Sequence, residues 1–370
     1  MNTRYAPPRR RHLPLVLAVL GITLAAAACG DDDDVNAAEP TATEAGTEAP
    51  SSAVASDSQA AAATLPDTIT IGYQNVPNGD LVVKHDGLLE QAFGPDVSIE
   101  WKLFDSGGSV NEAVLAGGVD IGLVGSSPAS RGISSGIEYS VPWIFDVIGK
   151  AEALAVRDDS GIATLADLTG KTIATPFAST SHYSLLAALA DAGVDASAVN
   201  IIDSEPDAIY AAWQQGDIDG AYVWNPNLAK LVAEGGTVLV TSEDLAKKGK
   251  TTYDLAVVTN EFAAEFPAAV QIWLDQQNAA VATIKNDPDA AAAAVAAELN
   301  ITPEEAKQQL SELIFLDAAQ QVASENLGGG LADNLYAAAQ FNQELGQIDS
   351  VQPEDAYQRA VLTTFAAAAK

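Results

Sequence analysis

Lys171-Thr-Ile-Ala-Thr-Pro-Phe-Ala-Ser-Thr-Ser-His-Tyr-Ser-Leu-Leu-Ala-Ala-Leu189 is the stretch from which the fold is read. Lys171–Ala174 has the pattern of a short strand, and Leu185–Leu189 continues as an apolar helical run that closes at Gly193. Between them lies a turn crowded with hydroxyls, from Thr175 to Ser184. The turn sits where a helix presents its unpartnered first-turn N–H groups and the positive end of its dipole. Two readings fit this turn taken alone. One is N-capping by Ser or Thr; the other is an oxyanion site with Ser179, Thr180 and Ser181 as added donors.

Working outward, strand patterns alternate with helices on both sides. Thr68–Tyr73 alternates in the strand manner and delivers Tyr73 and Gln74 to its end. A helix is predicted over about Asp80–Phe93, then a strand over Val97–Phe104. Asp105-Ser-Gly-Gly-Ser109 turns into a helix, with Ser109 and Glu112 at capping-box spacing. Val119–Val124 is a third strand, and Gly125-Ser-Ser-Pro128 opens another helix with Ser127 as N-cap and Pro128 at its first position. Val141–Val147, Ala151–Val156, Asn200–Ile202, Asp217–Trp224, Val238–Thr241 and Thr252–Val258 complete the strand set. The second and last of these read as crossings between domains. From Asn260 to Lys370 the chain is Ala-rich and predicted helical. The alternation implies an α/β fold with a mostly parallel sheet, and in such sheets ligands gather at the strands' carboxyl ends.

The first 65 residues have another character. Arg4, Arg9, Arg10 and Arg11 precede the apolar run Leu13–Leu24, and small residues lead to Cys29, the only cysteine. The run has secretory length, so residues 1–28 read as a signal peptide. The end of that run is similar to the lipobox of bacterial lipoproteins, with Cys29 as the lipidated residue, although the usual Leu lies farther away. Residues 29–65, with Asp31-Asp-Asp-Asp34 and almost no large apolar side chains, read as a disordered acidic tether. Cleavage would leave a net charge of −36 and remove Met1, the only methionine. So acidic a chain repels nucleic acid and anionic surfaces. It draws no anion from a distance, so any bound anion needs local donors. One cysteine leaves no disulfide, and no metal or cofactor motif is present. Little sulfur suits a protein made under sulfur scarcity.

Four segments carry a resemblance: Phe104–Ser109, Asp120–Pro128, Pro176–Leu189 and Ala211–Trp224. They are similar to the taurine-binding proteins of ABC importers, within a wider group that binds alkanesulfonates, nitrate and thiamine precursors. The resemblance spans about Thr68 to Phe266. It implies a two-lobed, type II periplasmic-binding-protein fold with two crossing hinge strands and a helical C-terminal segment. Residues 66–153 plus 257–370 form one lobe and 154–256 the other. It also implies capture of taurine or a related small sulfonate between the lobes, with Ser106, Ser126, Ser127, Thr180 and Ser181 at the sulfonate. Asp254 faces the ammonium, Gln74 stands nearby and Trp224 packs on the stem. Asp105 is a ligand group or a loop anchor, and Tyr183 lies at the pocket or the domain interface. The partners so implied are a membrane permease and its ATPase, with a monomer held outside the cytoplasm by its lipid anchor.

An enzyme is the competing class. The chain has three histidines, and Ser181 and His182, being helix neighbours, point apart. No nucleophile elbow, metal-binding His pair or phosphate-binding loop occurs.

Overall fold

Two mixed sheets, built on one plan, carry the fold. The computed structural model describes residues 64–370; the signal segment 1–28, Cys29 and the tether through residue 63 lie outside the described residues. The strands are β1 (Thr68–Tyr73), β2 (Ser98–Leu103), β3 (Ile121–Gly125), β4 (Tyr139–Ile148), β5 (Glu152–Arg157), β6 (Thr172–Thr175), β7 (Asn200–Asp203), β8 (Gly220–Trp224), β9 (Gly236–Thr241), β10 (Tyr253–Thr259) and β11 (Leu313–Ile314).

The first sheet runs β11-β4-β10-β3-β1-β2 and the second β7-β6-β8-β5-β9. In each, a central strand pairs in parallel with two others: β1 with β2 and β3, β6 with β7 and β8. Each sheet also receives an antiparallel strand in its interior, and the first has a second, β11, at the edge beside β4. β10 enters the first between β3 and β4, and β5 enters the second between β8 and β9. The chain thus passes between sheets at residues 149–151 and again after β9. Asp254 stands in the first sheet, although the sequence reading put residues up to 256 with the second half. The difference arises because strand pairing, which single-strand patterning does not reveal, decides sheet membership.

Burial follows the strand pattern. β3 is buried throughout, as a central strand covered on both faces should be. A large apolar cluster around Ile69, Ile121, Trp143, Leu255 and Trp273 fills the first half, with helix Pro267–Asn286 packed into it. Two smaller clusters cover the second sheet, one around Tyr222 and Leu185, the other around Trp213 and Ile209. No helix among the described residues is long and apolar enough to cross a membrane.

Three local expectations change. The helix predicted over Asp80–Phe93 is two, Gly79–His85 and Leu88–Phe93, separated by Gly87 in the left-handed region at φ 61°. The helix expected to be capped by Ser109 begins at Gly107 with Ser106 as N-cap. The helix expected to start at Pro128 begins at Ser126, with Gly125 as N-cap. In the last two cases the chain turns as soon as it leaves the sheet, so the first helical N–H groups stay close to the strand end.

Candidate functional site

Three helices bring their N-termini to one cavity. They are Gly107–Leu115 after β2, Ser126–Ser134 after β3 and Thr180–Asp191 after β6. Their unpartnered N–H groups and dipole ends make this a region of positive potential without a cationic side chain. The convergence depends on two glycines. A Cβ on Gly125 would lie 2.6 Å from Thr180 Cγ2, and one on Gly107 would lie 2.7 Å from Pro128 Cγ. Only glycine admits helix ends this close.

The cavity they border is small, with a volume of about 30 Å³. Gln74 and Val76 follow β1, Ala151 and Glu152 come from the passage into β5, and Trp224 and Asn225 follow β8. Asp254 closes the opposite side. In the ladder Asp254 is the partner of Gly125. The backbone that carries Asp254 therefore runs about one strand spacing, ~4.7–4.9 Å, from the strand end where a helix begins. An anion-favouring end and a cation-favouring end lie within the length of a short ligand.

The sequence candidates fall into three groups. Gln74, Thr180, Trp224 and Asp254 line the cavity. Gln74 is fixed by donating Nε2–H to Leu123 O at 2.8 Å. Ser106, Ser126, Ser127 and Ser181 are buried just behind it. Ser126 Oγ accepts the Tyr253 N–H at 3.2 Å, and Ser127 Oγ accepts from Asn342 Nδ2 at 3.4 Å. Ser106 Oγ donates to Glu205 Oε1 at 3.1 Å, bridging from the first-sheet half to the second. Asp105 and Tyr183 stand apart. Asp105 is exposed on an adjoining depression with Phe104, Asp207 and Trp224. Tyr183 packs edge-on against Phe341 at 5.2 Å, between the second half and a C-terminal helix.

Glu152 is the residue that sequence reasoning missed. It is 1% exposed and accepts from four hydroxyls. Thr180 Oγ1 and Ser181 Oγ donate to its Oε2 at 2.5 and 2.9 Å, and Ser242 and Ser184 donate to its Oε1 at 2.6 and 3.3 Å. The Thr180 and Ser181 side chains are thus engaged with a carboxylate, and what the turn presents to the cavity is backbone N–H. Burial raises the Glu152 pKa and the four donors oppose the rise. A second missed acid, Asp146, is fully buried behind Asp254. The available signal was a lone acid inside each apolar strand, Val141–Val147 and Ala151–Val156.

His182 is packed, as its place on the helix suggested. Its ring stacks on Phe177 at 4.4 Å, and Nδ1 accepts the Ala178 N–H at 3.4 Å. Burial lowers its pKa to about 4, so the ring is neutral at neutral pH. It does not line the cavity, and neither does any Cys or Lys.

Residues 62–300 match the profile of the NMT1-like family. A taurine-binding periplasmic protein of Escherichia coli K12 is 34% identical over 306 residues, covering 80% of this chain and 92% of the relative. The chain belongs to the NMT1-like family. Among solved structures, the alkanesulfonate-binding protein SsuA of Xanthomonas axonopodis pv. citri, bound to MOPS, is 26% identical. It superposes with a TM-score of 0.63 over 75% of this chain and 94% of its own. This NMT1-like chain therefore has the periplasmic-binding-protein fold, with two sheets and a helical C-terminal segment. The fold also carries catalysts. The desulfurization enzyme DSZB, 17% identical, superposes with a TM-score of 0.57 over 81% of this chain and 98% of that one.

Proposed function

We propose that this chain is the solute-binding component of an ABC importer that captures taurine, or a closely related aminosulfonate, for sulfur acquisition. One observation carries the reading: three helix N-termini and a buried carboxyl, Asp254, border one small cavity. A sulfonate at the helix ends and an ammonium at Asp254 complete that arrangement. Neutral backbone donors hold the anion, as the strongly negative chain requires. Trp224 flanks the two-carbon stem and can face the cation. The kinship with taurine- and alkanesulfonate-binding relatives supports the same class.

The mechanism is capture by closure. Residues flanking the two passages, near Val156 and Asp254, flex as two lobes close on the ligand. Ser106–Glu205 and Asn225–Glu312 (2.7 Å) are bridges that closure makes. The closed form then docks on a permease driven by a partner ATPase, and the binder itself catalyses nothing. Cys29 tethers a monomer to the outer face of the membrane. The desulfurization enzyme shares only the fold, and among the described residues no His, Cys or Lys lines the cavity to act as base or nucleophile.

A thermal-shift and calorimetric screen tests the reading with taurine, isethionate, alkanesulfonates, nitrate and a thiamine precursor. Taurine well above its dissociation constant should stabilise by about 3 kcal/mol. Response to nitrate or the thiamine precursor alone would overturn the assignment.

A further inference from the structure

Asp146 and Asp254 are ladder partners on β4 and β10, so their side chains are neighbours on one face. Asp254 reaches the cavity and Asp146 lies behind it, fully buried. Neither carboxyl oxygen of Asp146 meets a donor N–H or O–H. Two ionised carboxylates cannot share such a place; a proton between them lets one acid donate to the other.

The charged surroundings offer no cation instead. Of the elements packed on β4 and β10, β3, β11 and helix Thr364–Ala368 carry no charged side chain. Helix Ser126–Ser134 carries Arg131, helix Asn260–Glu265 carries Glu261 and Glu265, and helix Glu354–Ala360 carries Glu354, Asp355 and Arg359. None of these forms an ion pair with Asp146 or Asp254 among the described residues. Burial raises both pKa values; after burial, the Asp254 carboxyl raises that of Asp146 and the Glu152 charge raises that of Asp254, with a smaller push from Glu152 on Asp146.

We propose that Asp146 is a positioning residue kept as the neutral acid, donating to Asp254, and that an entering ammonium expels the proton held on Asp254 to solvent. This rests on the aminosulfonate reading and adds its protonic consequence. One positive charge enters and one leaves, so the buried charge is unchanged by binding. The free protein holds the proton and the complex does not. Affinity for an aminosulfonate therefore rises with pH, by up to about tenfold per unit, until the free protein loses the proton unaided. A sulfonate lacking the amine shows no such rise.

Calorimetry of the full chain in buffers of different ionisation enthalpy, with taurine and ethanesulfonate as probes, tests this. Taurine should release close to one proton near neutral pH and ethanesulfonate none. Asp146→Asn, which keeps a donor of the same shape, should bind taurine within about threefold of wild type. Asp146→Ala should lose about tenfold or more for taurine alone. Taurine binding without proton release overturns the inference and leaves the functional reading intact. So does an Asp146→Asn loss as large as that of Asp254→Asn, because Asp146 would then be ionised. Equal losses for both probes in Asp146→Ala would mark a merely structural residue. No taurine binding by wild type overturns both the inference and the reading beneath it.

Discussion

Glu152 and Asp254 border the same cavity from opposite sheets, with Asp146 behind Asp254, and these acids are kept there by different means. Glu152 is buried with four hydroxyl donors, so its cost of leaving water is met by hydrogen bonds. Asp146 has no donor and its charge is avoided. The difference separates two tasks. The second-sheet wall is a finished network that fixes the Thr180 helix start. The first-sheet wall is left electrostatically incomplete, and in the proposed binding mode a ligand cation completes it.

This contrast can be broken at its strongest point first. Glu152→Leu leaves four hydroxyls without an acceptor, and we expect a loss of about 2–4 kcal/mol in urea unfolding of the ligand-free protein. An unchanged midpoint would mean that water replaces the carboxylate and that the network is not structural. Gly125→Ala drives a methyl into Thr180 across the convergence of helix ends. Affinity for taurine and ethanesulfonate should fall together, by about 1–3 kcal/mol. A loss confined to taurine would place Gly125 at the cation end. Ser106→Ala removes the Ser106–Glu205 bridge and should weaken both ligands by about 0.5–1.5 kcal/mol in calorimetry. No change would show that closure does not use it.

Much of this fold is legible in the sequence because period-two stretches ended by Gly, Ser and Pro turns carry it. Thr68–Tyr73 falls where the pattern puts it. The helix starts at Gly107 and Ser126 were read three and two residues late, the first because the capping-box spacing of Ser109 competed with Ser106, the second because Gly125 offers no side-chain cap to recognise. The cavity lining was legible at its helix ends and at Asp254, each placed after or within a strand. It was not legible at Asp146 and Glu152. A lone acid in an apolar strand reads as noise until register sets it beside another acid or four hydroxyls, and those partners come from distant segments, such as Ser242 for Glu152. The same blindness assigned the Thr180 and Ser181 hydroxyls to the ligand, since their acceptor could not be seen.

The measurement that bears most directly on the central claim is the affinity of Asp254→Asn for taurine and for ethanesulfonate, titrated side by side with wild type. If Asp254 holds the ammonium while the helix ends hold the sulfonate, taurine loses about 2–3 kcal/mol and ethanesulfonate stays within about twofold. Equal losses for the two ligands would contradict the account.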